Sequence, residues 1–102
     1  MALIVIDEAT VTKYGRRNAQ AREAVRVWFV KVQLCTWNQH PDVLADFPRA
    51  DFIGKGRYIF DIKGNHYRLV AKVLFALKTV DIRRIMTHAE YSKLSHQQLL
   101  DL

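Results

Sequence analysis

Two short stretches of this sequence hold the side chains best suited to neutralising phosphate and moving protons. In the first, Arg68 and Lys72 alternate with Val70 and Leu74 along an extended run, so all four project to one side of a strand. Lys55 and Arg57 precede the strand before it, Lys63 sits in the intervening turn, and Arg83 lies on the strand after it. Cations gathered on one sheet face make a surface that phosphates can occupy. The second stretch is Thr87-His88-Ala89-Glu90-Tyr91. His88 and Tyr91 are three apart, which puts them on one side of a helical turn. A histidine titrates near neutral pH, and a tyrosine hydroxyl donates or accepts a proton. The chemistry these two stretches could supply is phosphate binding and proton transfer. A bland reading explains both stretches too: a solvated sheet face, and a helix start at which Tyr91 packs its ring and His88 caps.

Other chemistries are poorly served. His40, His66, His88 and His96 are scattered and show no metal-ligand spacing, so no metal or other cofactor is expected. Neither a phosphate-cradling glycine loop nor a nucleophile elbow is present. Cys35 is the single cysteine, which excludes an intrachain disulfide and fits a small buried hydrophobe in a reducing cytoplasm. Sixteen Lys and Arg face ten Asp and Glu, a net charge of +6, and this balance favours a polyanionic partner, either nucleic acid or an acidic protein. The opening Met1-Ala2-Leu3-Ile4-Val5-Ile6 is apolar but short, interrupted by Asp7 and Glu8 and without the basic start of a leader, and no run approaches a membrane span. The expectation is a soluble cytoplasmic protein of one domain, residues 1–102.

The elements that position these residues follow from periodicity. Leu3 to Ile6 reads as a strand, apolar on both faces and therefore central or covered. Asp7 caps a helix that ends near Gly15. A second helix from about Ala19 to Trp37 carries apolar residues at three-and-four spacing, Leu34 among them, with a basic strip at Arg16, Arg17, Arg22 and Arg26. Pro41 opens a short helix from Asp42 to Asp46, and Ala50 to Gly56 is a loop. Tyr58 to Ile62 and His66 to Phe75 form a hairpin around Lys63-Gly64-Asn65, with Tyr67, Leu69, Ala71 and Val73 on the face opposite Arg68. Thr79 to Thr87 is the last strand; Val80, Ile82, Arg84 and Met86 oppose Asp81, Arg83, Ile85 and Thr87. A short helix from His88 to Leu94 follows, and the tail to Leu102 is expected to fray. The class is α+β: a small antiparallel-rich sheet with two N-terminal helices on one face and a short C-terminal helix.

The segments Lys55-Gly56-Arg57-Tyr58-Ile59-Phe60-Asp61-Ile62-Lys63-Gly64-Asn65-His66-Tyr67-Arg68-Leu69 and Val80-Asp81-Ile82-Arg83-Arg84-Ile85-Met86-Thr87-His88-Ala89-Glu90-Tyr91 carry a family likeness. Read with Ala24-x-x-x-Trp28, Trp37 and Asp42-Val43 before Phe47, the chain resembles the HigB toxins, small relatives of the RelE-type ribonucleases, over about residues 3 to 94. The resemblance implies helices against an antiparallel sheet and cleavage of messenger RNA, usually on the translating ribosome, without metal. It also implies a HigA-like antitoxin with a helix-turn-helix domain as partner. Arg84 stands where relatives often have an apolar or aromatic residue, and Met86 where glycine is common.

Together these readings predict a metal-independent endoribonuclease in which the substrate's own 2′-hydroxyl attacks the adjacent phosphate. Arg68 is the first choice for stabilising the phosphate, because a guanidinium fork matches its geometry. His88 and Tyr91 move the protons, and Lys55, Arg57, Lys63, Lys72 and Arg83 hold the RNA. The alternative is a non-catalytic basic module that binds nucleic acid or protein; it explains the charge but not the His-x-x-Tyr corner.

Overall fold

The computed structural model describes residues 3–102; Met1 and Ala2 lie outside the described residues. The element order is β1 (Ile4–Ile6), α1 (Glu8–Arg17), α2 (Ala19–Leu34), α3 (His40–Asp46), β2 (Asp51–Gly54), β3 (Arg57–Ile62), β4 (Tyr67–Leu74), β5 (Thr79–Thr87), α4 (His88–Ser92) and α5 (His96–Leu100). One sheet runs β1-β5-β4-β3-β2; every pair is antiparallel except β1 with β5. The α+β class read from the sequence is the class of the structure.

The apolar stripe of α2 packs on the sheet through Ala21, Val25, Trp28, Phe29 and Val32, all buried against Tyr58, Phe60, Leu69, Ala71 and Val73. Aromatic rings lock this layer: Trp28 meets Phe60 edge-on at 5.3 Å, and Phe47 meets Phe60 at 5.1 Å. The helix is shorter than its periodicity suggests. It stops at Leu34, which is 78% exposed, and Cys35 turns extended so that Trp37 can enter the core and donate Nε1–H to Asp46 Oδ2 at 2.9 Å. Helix α1 is longer, because Gly15 does not end it. A Cβ there would meet Arg22 Cγ at 3.2 Å, so this glycine lets α1 and α2 approach. Nor does Asp7 cap a backbone N–H; it accepts the Thr10 hydroxyl at 2.7 Å.

Strand β1 is an edge strand and not a central one. Only Val5 turns into the core, while Ile4 and Ile6 remain 60% and 44% exposed. Part of the expected loop after Ala50 is β2, which pairs Asp51 with Ile59 and Phe52 with Tyr58. In β5 the pairing skips a residue: Ala71 faces Ile82 and Val70 faces Arg84, leaving Arg83 as a bulge. The extra residue inverts the strand's faces beyond it. Ile85 therefore joins the helix-side core, and Met86 faces the other way.

The far side of the sheet is not left open. The C-terminal segment is ordered: Ser95 caps α5 by accepting from Gln98 N. Leu99 is buried with Ile59, Val70 and Met86, and Leu94 and Leu102 pack around them. The tail is held because its leucines bury apolar area that the strands would otherwise expose. No helix among the described residues is long and apolar enough to cross a membrane.

Candidate functional site

The three residues assigned to chemistry meet where β4, β5 and α4 converge. Strand β5 ends at Thr87, whose hydroxyl accepts from Glu90 N at 3.1 Å while Glu90 Oε1 accepts from Thr87 N at 2.8 Å. This reciprocal cap starts α4 abruptly. Those hydrogen bonds hold the Glu90 carboxyl below its ordinary range. The backbone N–H of His88 donates to His66 O at 2.9 Å, tying the corner to the β3–β4 turn. From this frame the exposed His88 ring sits 6.4 Å from the half-buried Tyr91 ring, centroid to centroid. The Arg68 guanidinium lies over the Tyr91 ring, 5.3 Å from its centroid.

Arg68 does not lie on a solvated sheet face: it is enclosed, with only 8% of it exposed. Its Nη1 donates to the carbonyls of Asn65 and Tyr67 at 3.2 Å each, and Nη2 donates to Asn65 Oδ1. Nε lies 3.3 Å from Asp61 Oδ1, while Asp61 Oδ2 is 3.7 Å from Arg49 Nε. Asp61, Asn65 and Arg49 thus belong to the site although the sequence reading did not select them. The signal was register. A four-residue turn pairs Ile62 with Tyr67 and hence Asp61 with Arg68, whereas a turn of three residues would have put Asp61 opposite Tyr67.

The basic residues do not form one continuous face with Arg68. Lys72 is four residues along β4, about 13 Å away at strand rise, and is paired across the sheet with Arg57. Arg57 donates to Lys55 O and Leu102 O at 2.8 Å each. Between this group and Arg68 lies the apolar patch that α5 covers. Lys63 turns to the helix side and donates to Gln20 O at 3.2 Å. Arg83 stands exposed on the bulge, paired with Asp81 at 2.7 Å. The basic strip of α1 and α2 is exposed, with Arg22 donating to Gly15 O at 3.0 Å and Arg26 4.0 Å from Glu8.

Cys35 takes no part. Its thiol is pushed up to about 11, first by burial and then by the nearby Asp46, so it stays protonated. Among the described residues no three His, Cys, Asp or Glu side chains converge as metal ligands.

Comparison with known proteins places the corner and its hairpin in a family. The family model of HigB toxins, described as the RelE-like toxic component of a toxin–antitoxin system, matches residues 21–94. This chain belongs to the HigB toxin family. The matched span contains β2 to β5 and most of α2, and it ends two residues past α4, so all three chemistry candidates fall inside it. The chain is also similar to the mRNA interferase toxin HigB of Escherichia coli K12, with 42% identity over 50 residues. The mRNA interferases HigB of Escherichia coli O157:H7 and Shigella flexneri match to the same extent. These alignments cover 46% of this chain and 47% of each relative, about half the length of either.

Proposed function

We propose that this chain is an endoribonuclease toxin that cleaves messenger RNA on the translating ribosome without metal and is restrained by a HigA-like antitoxin. The observation that carries the reading is the joining of Arg68, Tyr91 and His88 in one capped corner. The naming of the Escherichia coli and Shigella relatives as mRNA interferases supports it.

In this reading the 2′-hydroxyl of the bound nucleotide attacks its own 3′-phosphate and expels the 5′-oxygen of the next nucleotide. One of His88 and Tyr91 removes the hydroxyl proton and the other protonates the leaving oxygen. Arg68 has five N–H groups, of which Nε, both of Nη1 and one of Nη2 face protein acceptors. Its fixed charge and remaining N–H stabilise the phosphate as negative charge builds on it. Arg83 near the corner and Lys72 farther along β4 draw the RNA backbone to the sheet. DNA lacks the attacking hydroxyl and is resistant.

The test is inducible expression without antitoxin, read as growth arrest and mapped messenger-RNA ends, with His88→Ala as the paired strain. New ends that appear with the wild type and vanish with the folded variant are expected. Unchanged RNA with the wild type, or the same ends with both strains, overturns the reading. A companion assay adds a chelator to the cleavage reaction on ribosomes that keep their own magnesium, and cleavage should persist. Activity lost to EDTA in a ribosome-free reaction and restored by a divalent ion would reveal a metal site.

A further inference from the structure

Strand β1 covers only the first third of β5: it pairs Ile4, Val5 and Ile6 with Thr79, Val80 and Asp81 and then ends. From Ile82 to Thr87 the outer side of β5 has no neighbouring strand among the described residues. A free strand edge offers a row of backbone donors and acceptors that can take an added chain. Two grooves flank this edge, one on each side of the sheet. One, of about 390 Å³, lies toward α1 and is lined by Lys13, Tyr14, Arg17 and Arg83. The other, of about 420 Å³, lies toward α4 and is lined by Met86, Glu90, Lys93 and Leu94. Arg84 and Ile85 border both grooves, so the strand itself is the ridge between them.

We propose that the outer edge of β5 from Arg83 to Thr87 docks an extended acidic segment of a partner protein, which adds to the sheet as a strand. Alternation makes the two grooves specific. Successive side chains of an extended segment point to opposite faces, so every second residue enters the α1 groove and the others enter the α4 groove. The α1 groove is lined by four cations, Lys13, Arg17, Arg83 and Arg84, together with Tyr14 and no carboxylate, and suits Asp or Glu. In the α4 groove Ile85, Met86 and Leu94 suit apolar residues, while the charges there offset one another in part, Glu90 standing near Arg84 and Lys93 and already engaged by Thr87. Asp81 now pairs with Arg83, and an incoming carboxylate would take its place. RNA could match the cations but not the alternating amides and carbonyls. The segment would also lie beside the Thr87–His88 corner and neutralise Arg83, which gives a partner a direct hold on the proposed chemistry. That last point rests on the toxin reading; the docking edge does not.

The probe is an end-blocked octapeptide of alternating Glu and Val, titrated into the full chain while amide exchange of β5 is followed. Two controls have the same composition: one with Glu and Val in separate blocks, one with alternate amides N-methylated. The alternating peptide should slow exchange on the outer edge of β5. The block peptide should bind about tenfold more weakly or worse, and the N-methylated peptide should not protect the edge. Lys13→Glu combined with Arg17→Glu should also cost about tenfold or more; both side chains are exposed, and thermal unfolding checks that this variant is folded. Equal binding of alternating and block peptides means charge alone is being read and overturns the proposal. So does a non-cleavable deoxy-substituted oligonucleotide that protects the same β5 amides as the peptide; displacement without that protection is competition for Arg83 and fits the proposal. Peptide failure with messenger-RNA cleavage intact removes the edge alone. Cleavage failure with the peptide bound removes the nuclease reading alone.

Discussion

Arg68 has four internal acceptors and a ring against it, so its substitution is a change in the interior as well as in the site. Arg68→Ala leaves Asp61 and Asn65 without their shared donor, and an unpaired group of this kind costs about 1–3 kcal/mol. The loss of an oriented charge at a developing phosphate costs far more in rate, on the order of 100- to 1000-fold. His88→Ala and Tyr91→Phe should lose about 100-fold or more with smaller effects on stability. Leu69→Ala is the contrast: it is fully buried under the helices, and truncation should cost about 2–5 kcal/mol while the rate per folded molecule holds. Thermal unfolding measured beside single-turnover cleavage separates the four. An Arg68→Ala protein that is folded and fully active removes the guanidinium from the mechanism. The sequence pointed to Arg68 because a basic residue alternating with apolar ones is visible in a strand. Its enclosure was not visible, since it depends on a turn one residue longer than the Lys63-Gly64-Asn65 motif suggests.

Among the elements, the reciprocal cap at the start of α4 is the most exposed to test. Thr87→Ala removes the acceptor for Glu90 N and should cost about 1 kcal/mol. Because His88 and Tyr91 hang on a helix of only five residues, cleavage should fall by more than stability does. Faster amide exchange at α4 with β4 unchanged would accompany that loss, and unchanged cleavage would show that the cap does not position the pair. A second element-scale outcome follows from Tyr14. Its hydroxyl is pushed up to about 12 from the ordinary 10.0, by burial first and then by Glu90. A group whose folded pKa is raised gives its full stabilisation below the unfolded value and loses it as pH climbs through the folded one. Stability should therefore decline between about pH 10 and about pH 12, and Tyr14→Phe should flatten part of that decline in denaturant titrations. The burial of Tyr58 raises its pKa as well and leaves a remainder. Elements with strong periodicity, such as α2 and β4, were legible in the sequence. The bulge at Arg83 was not, because one unpaired residue in β5 is decided by its neighbour β4. The ordering of α5 was also hidden, since Leu99 is held by strands distant in sequence.

For the whole molecule, the net charge of +6 is distributed and not pooled. One group of cations gathers near Lys72 and Arg57, one lies along α1 and α2, and one flanks the free edge of β5. Affinity for RNA should fall with salt, each phosphate contact adding roughly 0.7 to 0.9 to the log–log slope. Lys72→Ala should lower that slope by about one contact and leave the single-turnover rate at saturation close to wild type. An unchanged slope would detach this end of the sheet from the RNA path.

The pairing of Ile4 with Thr79 also sets an order of events in time. Strands β2 to β5 meet partners close along the chain, whereas β1 has to wait for the last strand to exist. Contacts across such long separations form late, because the loop between them must first be closed. The parallel pair is thus the final part of the sheet to assemble and the first to let go. Native-state hydrogen exchange should show the β1 amides opening at low denaturant by a local route, while those of Val70 and Leu69 exchange only through global unfolding.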